Sequence, residues 1–264
     1  MFSVSSLLLK SSILRKSIVT NIKSKYFHEL GLSIPLNNNF WAHIRENDSY
    51  NSFSEIFIQQ EYENFIPKED LLKVIDLGAH YGYFSLWLQS KIGSDKFRSL
   101  LIEPSSFCRR SLENLISQTK LQGRFKYLAG AVSNSQNQKT QFYDRPFMAG
   151  SKFNHSGNMS SKLVKIVKQD EIIATLPPPY DLIKCDIEGA EWDLIEHYQE
   201  ILFQSKYLLM EWHSWHSGGG GLNQIIQGIK NLGFELVKSS KPHVANGVDG
   251  EVGLFLAQNQ KFLG

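Results

Sequence analysis

The chain has 264 residues, 42% of them apolar and 20% charged, which describes an ordinary globular protein large enough to bury a substantial core in one main domain. A formal net charge of +2 leaves no nucleic-acid footprint, and no apolar run approaches the roughly 18 residues that a bilayer span needs. The two cysteines, Cys108 and Cys185, are too few for a disulfide framework and point to a reducing compartment, so the expected location is the cytoplasm.

Charge is unevenly spread. Residues 1–28 hold Lys10, Arg15, Lys16, Lys23 and Lys25 and no acid, leaving 28 − 5 = 23 bases against 26 acids in the rest. This leader, taken as residues 1–30, reads as a basic helix that packs loosely or frays. Peripheral membrane contact through residues 1–27, or an organelle transit signal, are the alternatives, while Lys10 interrupts the apolar stretch too early for a secretory signal. Residues 31–70 form an accessory segment. Its first part is polar and turn-rich; then Ser52 or Ser54 caps a helix carrying Phe53, Ile56, Phe57, Tyr62 and Phe65, closed by Pro67 and laid across the entrance to the domain.

The pattern sharpens at Val74-Ile75-Asp76-Leu77-Gly78-Ala79-His80-Tyr81-Gly82, an apolar run, an acid and a glycine-bearing turn, followed by a helix over 84–92 that ends near Gly93. The loop reads Gly-x-x-x-Gly. It lacks the middle glycine of the dinucleotide fingerprint, and no phosphate-binding Gly-x-x-x-x-Gly-Lys-Ser/Thr is present. The motif that remains is a nucleoside loop of the kind used by S-adenosylmethionine-dependent methyltransferases, with Asp76, Gly78, Ala79, His80, Tyr81 and Gly82 around the ligand. The next strand, 99–102, delivers Glu103, where a carboxylate can accept both ribose hydroxyls. A helix with Phe107, Leu112, Leu115, Ile116 and Leu121 leads to a third strand, 125–132, whose small Gly130-Ala131-Val132 end lets a flat base sit against the backbone.

Residues 133–162 are irregular and polar, as in a lid or binding loop, and Pro177-Pro178-Pro179 is a linker. The strand 180–185 presents Asp186 and Glu188, which can share one face, and the strand 207–212 ends in His213. Gly218–Gly221 reads as a hinge or lid. A helix over 222–232 and strands over 234–237 and 252–257, pairable as an antiparallel hairpin, complete a mixed sheet.

Taken together, Ile75-Asp76-Leu77-Gly78-Ala79-His80-Tyr81-Gly82, Ile102-Glu103-Pro104-Ser105, Ala131-Val132-Ser133, the stretch Asp181-Leu182-Ile183-Lys184-Cys185-Asp186-Ile187-Glu188-Gly189-Ala190-Glu191 and the Glu211-x-His213 strand end resemble the FkbM-type family of S-adenosylmethionine-dependent methyltransferases. The Lys-x-Asp-x-Glu-Gly-x-Glu stretch is the specific part; members of the family usually carry Asn where His80 stands. The resemblance implies a class I methyltransferase Rossmann-like α/β fold over 71–264, with its core at about 74–234: a mostly parallel seven-stranded sheet with a C-terminal antiparallel hairpin and helices on both faces. It also implies S-adenosylmethionine over the first two strands and an oxygen acceptor such as a sugar, glycan or secondary-metabolite hydroxyl.

An alcohol is a poor nucleophile until its proton is drawn off, so a base is needed beside the methyl group. Asp186, Glu188 and His213 are the candidates, with His213 as base and Asp186 orienting it or the acceptor. In a second version the three are ligands of a divalent metal that acidifies the hydroxyl. Glu191 reads as an acid favoured at a helix start, and His216 as a loop side chain. An N-methylating or noncatalytic, partner-binding use of the same fold is the rival. Dispersed bases beyond the leader argue against a nucleic-acid partner.

Overall fold

The computed structural model describes residues 31–36, 40–45, 47–135, 137–144, 161–244 and 250–263. The leader and its membrane or transit readings lie outside the described residues, as does the middle of the expected lid, 145–160.

Strands β1 (Leu32–Pro35) and β2 (Trp41–Ile44) form an antiparallel hairpin. Helix α1 (Asn47–Phe53) then runs straight into a π-helical turn, Ser54–Gln59, which Gln60 ends in a left-handed conformation. The accessory segment is thus part strand, and Ser52 and Ser54 lie inside its helical run rather than at its cap. The alternation that makes β2 a strand is short: Ala42 and Ile44 are buried while Trp41 is exposed.

The main sheet has strand order β10-β12-β9-β8-β3-β4-β5, where β3 is Lys73–Leu77, β4 Arg98–Glu103, β5 Phe125–Ala129, β8 Tyr180–Cys185, β9 Ser205–His213, β10 Phe234–Ser239 and β12 Glu251–Asn259. Strands β5, β4, β3, β8 and β9 are mutually parallel, and β12 runs antiparallel between β9 and β10. The short β11 (His243–Val244) also pairs with β12, and a separate hairpin joins β6 (Lys139–Phe142) to β7 (Lys162–Lys165). The mixed α/β expectation, with its antiparallel C-terminal pair, is met.

Successive residues of each strand face opposite sides, so the sheet needs two covering layers. Val74, Leu101, Leu182 and Leu209 pack beneath α2 (Tyr83–Ile92) and α3 (Ser106–Ile116). Ile75, Ile102, Ile183 and Met210 pack in the opposite layer, with side chains from α4 (Gln169–Thr175), α5 (Glu191–His197), α6 (Gln199–Phe203) and α7 (Gly221–Asn231). The run Tyr83–Ser90 of α2 is buried throughout, because the accessory segment covers its outer side. The Tyr83 hydroxyl donates to His43 O (2.6 Å), and Gln118 of the segment after α3 bonds to both Trp41 main-chain groups. Among the described residues no helix is long and apolar enough to cross a membrane.

The chain leaves β3 toward β4 on one side, while β8 returns to the other. The sheet therefore reverses between β3 and β8, and the loops at their carboxyl ends part into a crevice. At the opposite end Asp181 ties the same two strands, its Oδ2 accepting from Leu72 and Lys73 N–H, both at 2.8 Å.

Candidate active site

The crevice is a cleft of about 480 Å³, a figure that includes its open mouth. Gly78, Ile102 and Glu103 line one side, Gly130, Ala131, Val132 and Phe142 another, and Asp186, Ile187 and Glu188 the rest. Its floor is the glycine loop. The N–H groups of Gly78 and Ala79 both donate to Ile102 O (3.0 and 3.1 Å), which folds the loop down over β4. Gly78 has φ +69, and a Cβ there would come within 1.7 Å of Asp186 O, so β8's end can close on the loop only because this residue has no side chain. His80 is also left-handed, with φ 51, a region that histidine and asparagine enter more readily than most residues. His80 therefore meets the loop's need for a residue that tolerates a left-handed conformation here. Its side chain packs on Tyr81, with ring centroids 4.2 Å apart.

Glu103 is buried at the tip of β4. Its Oε2 accepts from His80 N–H (2.8 Å) and its Oε1 from Ser105 N–H (2.7 Å). Burial raises its pKa, and the positive field of His80 with these two donors works against the rise. One donor on each oxygen fixes the carboxylate plane and leaves lone pairs on both for a further pair of hydroxyls. Of the loop only Gly78 lines the cleft; Asp76, Ala79, His80, Tyr81 and Gly82 are not part of its lining. Asp76 is fully buried beneath the loop, accepts from Ser85 Oγ (2.7 Å) and has Lys184 Nζ 3.7 Å from its Oδ1. Its position is that of a support for the loop. Gly82 opens α2 at φ +76, where a Cβ would meet Leu115 and Leu101 at 2.5 and 2.8 Å.

The other half of the site stands at the ends of β8 and β9. Lys184 is a buried lysine in a buried strand; its Nζ donates to Gly78 O (2.9 Å) and to Asp186 Oδ2 (3.3 Å). Burial opposes its charge, but Asp186 and Asp76 outweigh burial and raise its pKa, so it is a fixed cation clamping the loop to β8. Glu191, at the start of α5, is fully buried and does more than favour a helix start. Its Oε1 accepts from Gly189 N–H (3.0 Å) and from His213 Nδ1 (2.8 Å). Glu191, and not Asp186, orients His213. The Nε2 of His213 points toward Glu188 Oε2 (3.8 Å) and Glu211 Oε1 (4.0 Å). Burial works against charge on this imidazole, but Glu191, Glu188 and Glu211 prevail and lift its pKa to about 10. Burial also pushes the Glu211 carboxyl well up, with Asp186 adding to the rise, and the Tyr62 hydroxyl reaches Glu211 at 3.5 Å. The accessory segment thus borders the β9 end of the site.

His216 is buried outside this cluster. It accepts from Gly218 N–H at Nδ1 (3.0 Å), bonds Gly221 O through Nε2 (3.2 Å) and stacks on Trp192. With Gly220 N–H on Gln224 Oε1 (2.6 Å), these bonds fasten the glycine run expected to act as a hinge.

A family model described as the methyltransferase FkbM domain matches residues 76–236, which takes in the glycine loop, Glu103 and the whole β8–β9 cluster. The chain belongs to the FkbM methyltransferase family. Among solved structures it is similar to the FkbM methyltransferase of Methylobacillus flagellatus KT, at 16% identity over 96% of this chain and 57% of that one, with a TM-score of 0.49. It is also similar to Aeropyrum pernix fibrillarin in complex with S-adenosyl-L-methionine, at 11% identity over 90% of this chain and 86% of that one, with a TM-score of 0.46. A protein of the NADB-Rossmann superfamily from Streptococcus agalactiae gives 14% identity, 76% and 66% coverage and a TM-score of 0.43. No curated protein sequence matches.

The residues present fit the methyl donor of such methyltransferases. The side-chain-free Gly78 keeps the floor low, Glu103 offers two oriented acceptors for a ribose diol, and Ala131, Val132, Phe142 and Ile187 give an apolar slot for a base. From sequence, Lys184 and Glu211 had no assigned role, and Glu191 had only that of a helix-start acid. Lys184 stands as a lone base in an apolar strand, a signal that was there to be used, since lysine is rarely buried unless paired. Glu211 gave the same signal in Leu208–Trp212. The tie from Glu191 to His213 crosses 22 residues and leaves no local pattern.

Proposed function

We propose that this FkbM-family chain transfers a methyl group from S-adenosylmethionine to a hydroxyl of a small molecule or glycan. The observation that carries the reading is the Glu103 carboxylate, set by His80 and Ser105 N–H groups to receive a ribose, in the same cleft that Asp186 and Glu188 line. When bound, the donor supplies a sulfonium methyl that is displaced in line by a nucleophile, a reaction in which alignment contributes roughly 7–11 kcal/mol.

Gly78, Ala79 and His80 shape the floor through their backbone, Glu103 holds the ribose, and Ala131, Val132 and Phe142 flank the base. Lys184 keeps Asp186 and the loop at fixed separation. Glu188 lines the cleft and is one-fifth exposed, so it is the carboxylate placed to take the acceptor's proton. His213, tied at Nδ1 to Glu191 and 3.8 Å from Glu188 at Nε2, is placed to support the acid cluster rather than to act as the free base. An acid-lined mouth repels phosphates and so disfavours a nucleic-acid acceptor. The same acids attract amines, which keeps an N-methylated acceptor as the second reading.

The test is transfer of isotope-labelled methyl to panels of hydroxylated and amine-bearing acceptors, with Asp186→Ala, Glu188→Gln and His213→Ala beside the natural chain. The reading expects label in a hydroxyl-bearing product and loss of turnover with donor affinity kept in the variants. Label only in amines overturns the oxygen assignment; unchanged turnover in all three variants removes the cluster from the mechanism.

A further inference from the structure

The β8–β9 cluster holds more carboxyl groups than bases to pair with them among the described residues. Among the described residues the ion pairs of Asp76, Asp186, Glu191 and Glu211 run to two basic groups, Lys184 and His213. Lys184 is already spent on Asp186, Asp76 and Gly78 O, and the Nδ1 side of His213 is spent on Glu191. What is left over points inward. His213 is 2% exposed, yet its Nε2 makes no hydrogen bond among the described residues: the nearest carboxylate oxygens stand at 3.8 and 4.0 Å, beyond hydrogen-bonding range.

We propose that Asp186, Glu211 and His213 form a divalent-cation site at the carboxyl ends of β8 and β9, filled by a cation of the Mn²⁺ type. One ligand atom from each lies within 4.8 Å of the others. Ligand distances of about 2.0–2.2 Å bring such donors to within about 4 Å, so side-chain rotations of under about 1 Å close the set. The Glu191–His213 bond is the arrangement that metal-ligating histidines use: a carboxylate on one ring nitrogen fixes the ring and presents the other nitrogen to the ion. Two carboxylates with one imidazole suit a first-row divalent ion better than an all-oxygen Mg²⁺ cage. This trio differs from Asp186, Glu188 and His213 in taking Glu211 of β9 in place of Glu188.

The inference rests on the methyl-transfer reading for its purpose. A carboxylate is a weak base toward an alcohol whose acidity is near that of water, and a cation at this point would acidify the hydroxyl before Glu188 takes its proton. The oxygen then forms its bond to the methyl carbon as the carbon–sulfur bond breaks, and the sulfur leaves as a neutral thioether.

The experiment is titration of the full, chelator-stripped chain with MnCl₂, reading free Mn²⁺ by electron paramagnetic resonance, with S-adenosylmethionine affinity measured on the same samples. The site predicts one Mn²⁺ per chain, at least about tenfold weaker binding in Glu211→Gln and in His213→Gln, and a loss of about 10–100-fold in Glu191→Gln, the range for second-layer partners. Donor affinity in these variants stays within about twofold. No Mn²⁺ uptake by a chain that binds S-adenosylmethionine, or uptake unaltered in both Glu211→Gln and His213→Gln, overturns the site. Mn²⁺ uptake at the trio in a chain that binds no S-adenosylmethionine supports the site and sinks the methyl-donor reading instead.

Discussion

The two halves of the cleft are built on opposite principles. In the β3–β4 half each Glu103 oxygen has a backbone donor and the glycine loop is pinned on Ile102 O, while Asp76 beneath the loop accepts from Ser85 at Oδ2 and has its Oδ1 buried with no hydrogen-bond partner among the described residues. In the β8–β9 half acids crowd one another, Glu211 and His213 are pushed far from their ordinary pKa values, and Glu191 Oε2 is buried with no hydrogen-bond partner among the described residues. A pocket that only holds a ligand gains from having its ligand-facing polar groups settled beforehand, as Glu103 is. A pocket that handles protons needs groups whose charge can change at modest cost, and perturbed, under-satisfied residues gather there.

That contrast is breakable at several points. The largest effect belongs to Gly78→Ala. The added Cβ collides with the Asp186 backbone at a positive φ, which costs about 3–5 kcal/mol and removes donor binding. Thermal melting and calorimetry would show both losses together; a variant that binds normally would mean the loop is not the floor. Next is Glu103→Gln, which keeps the shape and removes a charged acceptor. A loss of roughly 1.5–3 kcal/mol of donor affinity is expected, about 10- to 100-fold, with little change in melting temperature.

Glu191→Gln strikes the other half and reverses the pattern. Turnover falls about 10–100-fold while donor affinity holds. It also carries a pH signature in the metal-free chain. The folded pKa of His213, about 10, lies above the ordinary 6.5, so the stability that its charge contributes is fully present below pH 6.5 and is lost as pH rises through 10. The gap in denaturation midpoint between the natural chain and Glu191→Gln should therefore shrink from pH 6 toward pH 10. A gap that widens over that range contradicts the assignment of charge.

What the sequence made legible follows the same division. The β3 loop, Glu103 and the ends of β8 and β9 are written in contiguous residues: an apolar run, an acid, a glycine. The roles inside the acidic half are relations across the fold. Glu191 looks like any helix-initial acid until β9 brings His213 to it, and Asp186 looks like the partner of His213 until Lys184 is seen to hold it. The β1–β2 hairpin was missed for a related reason. Its strands have four residues each, and the burial that marks Ala42 and Ile44 comes from the layer containing α2 and α3.

Smaller effects test the scaffold under the comparison. Asp181→Ala frees the Leu72 and Lys73 N–H groups at the end of the sheet remote from the cleft. About 1.5–3 kcal/mol of stability should go, by denaturant titration, with donor affinity unchanged. The smallest change is in reactivity: burial pushes the Cys185 thiol well up, so its alkylation in the native chain should be far slower than in the denatured chain.

The most direct measurement is calorimetric titration of the folded natural chain and of Glu103→Gln with S-adenosylmethionine and with its demethylated product. The account predicts one site per chain, a Kd on the order of micromolar and a clear weakening in Glu103→Gln. Equal affinity in the two chains, or no heat in a natural chain shown to be folded, would contradict it.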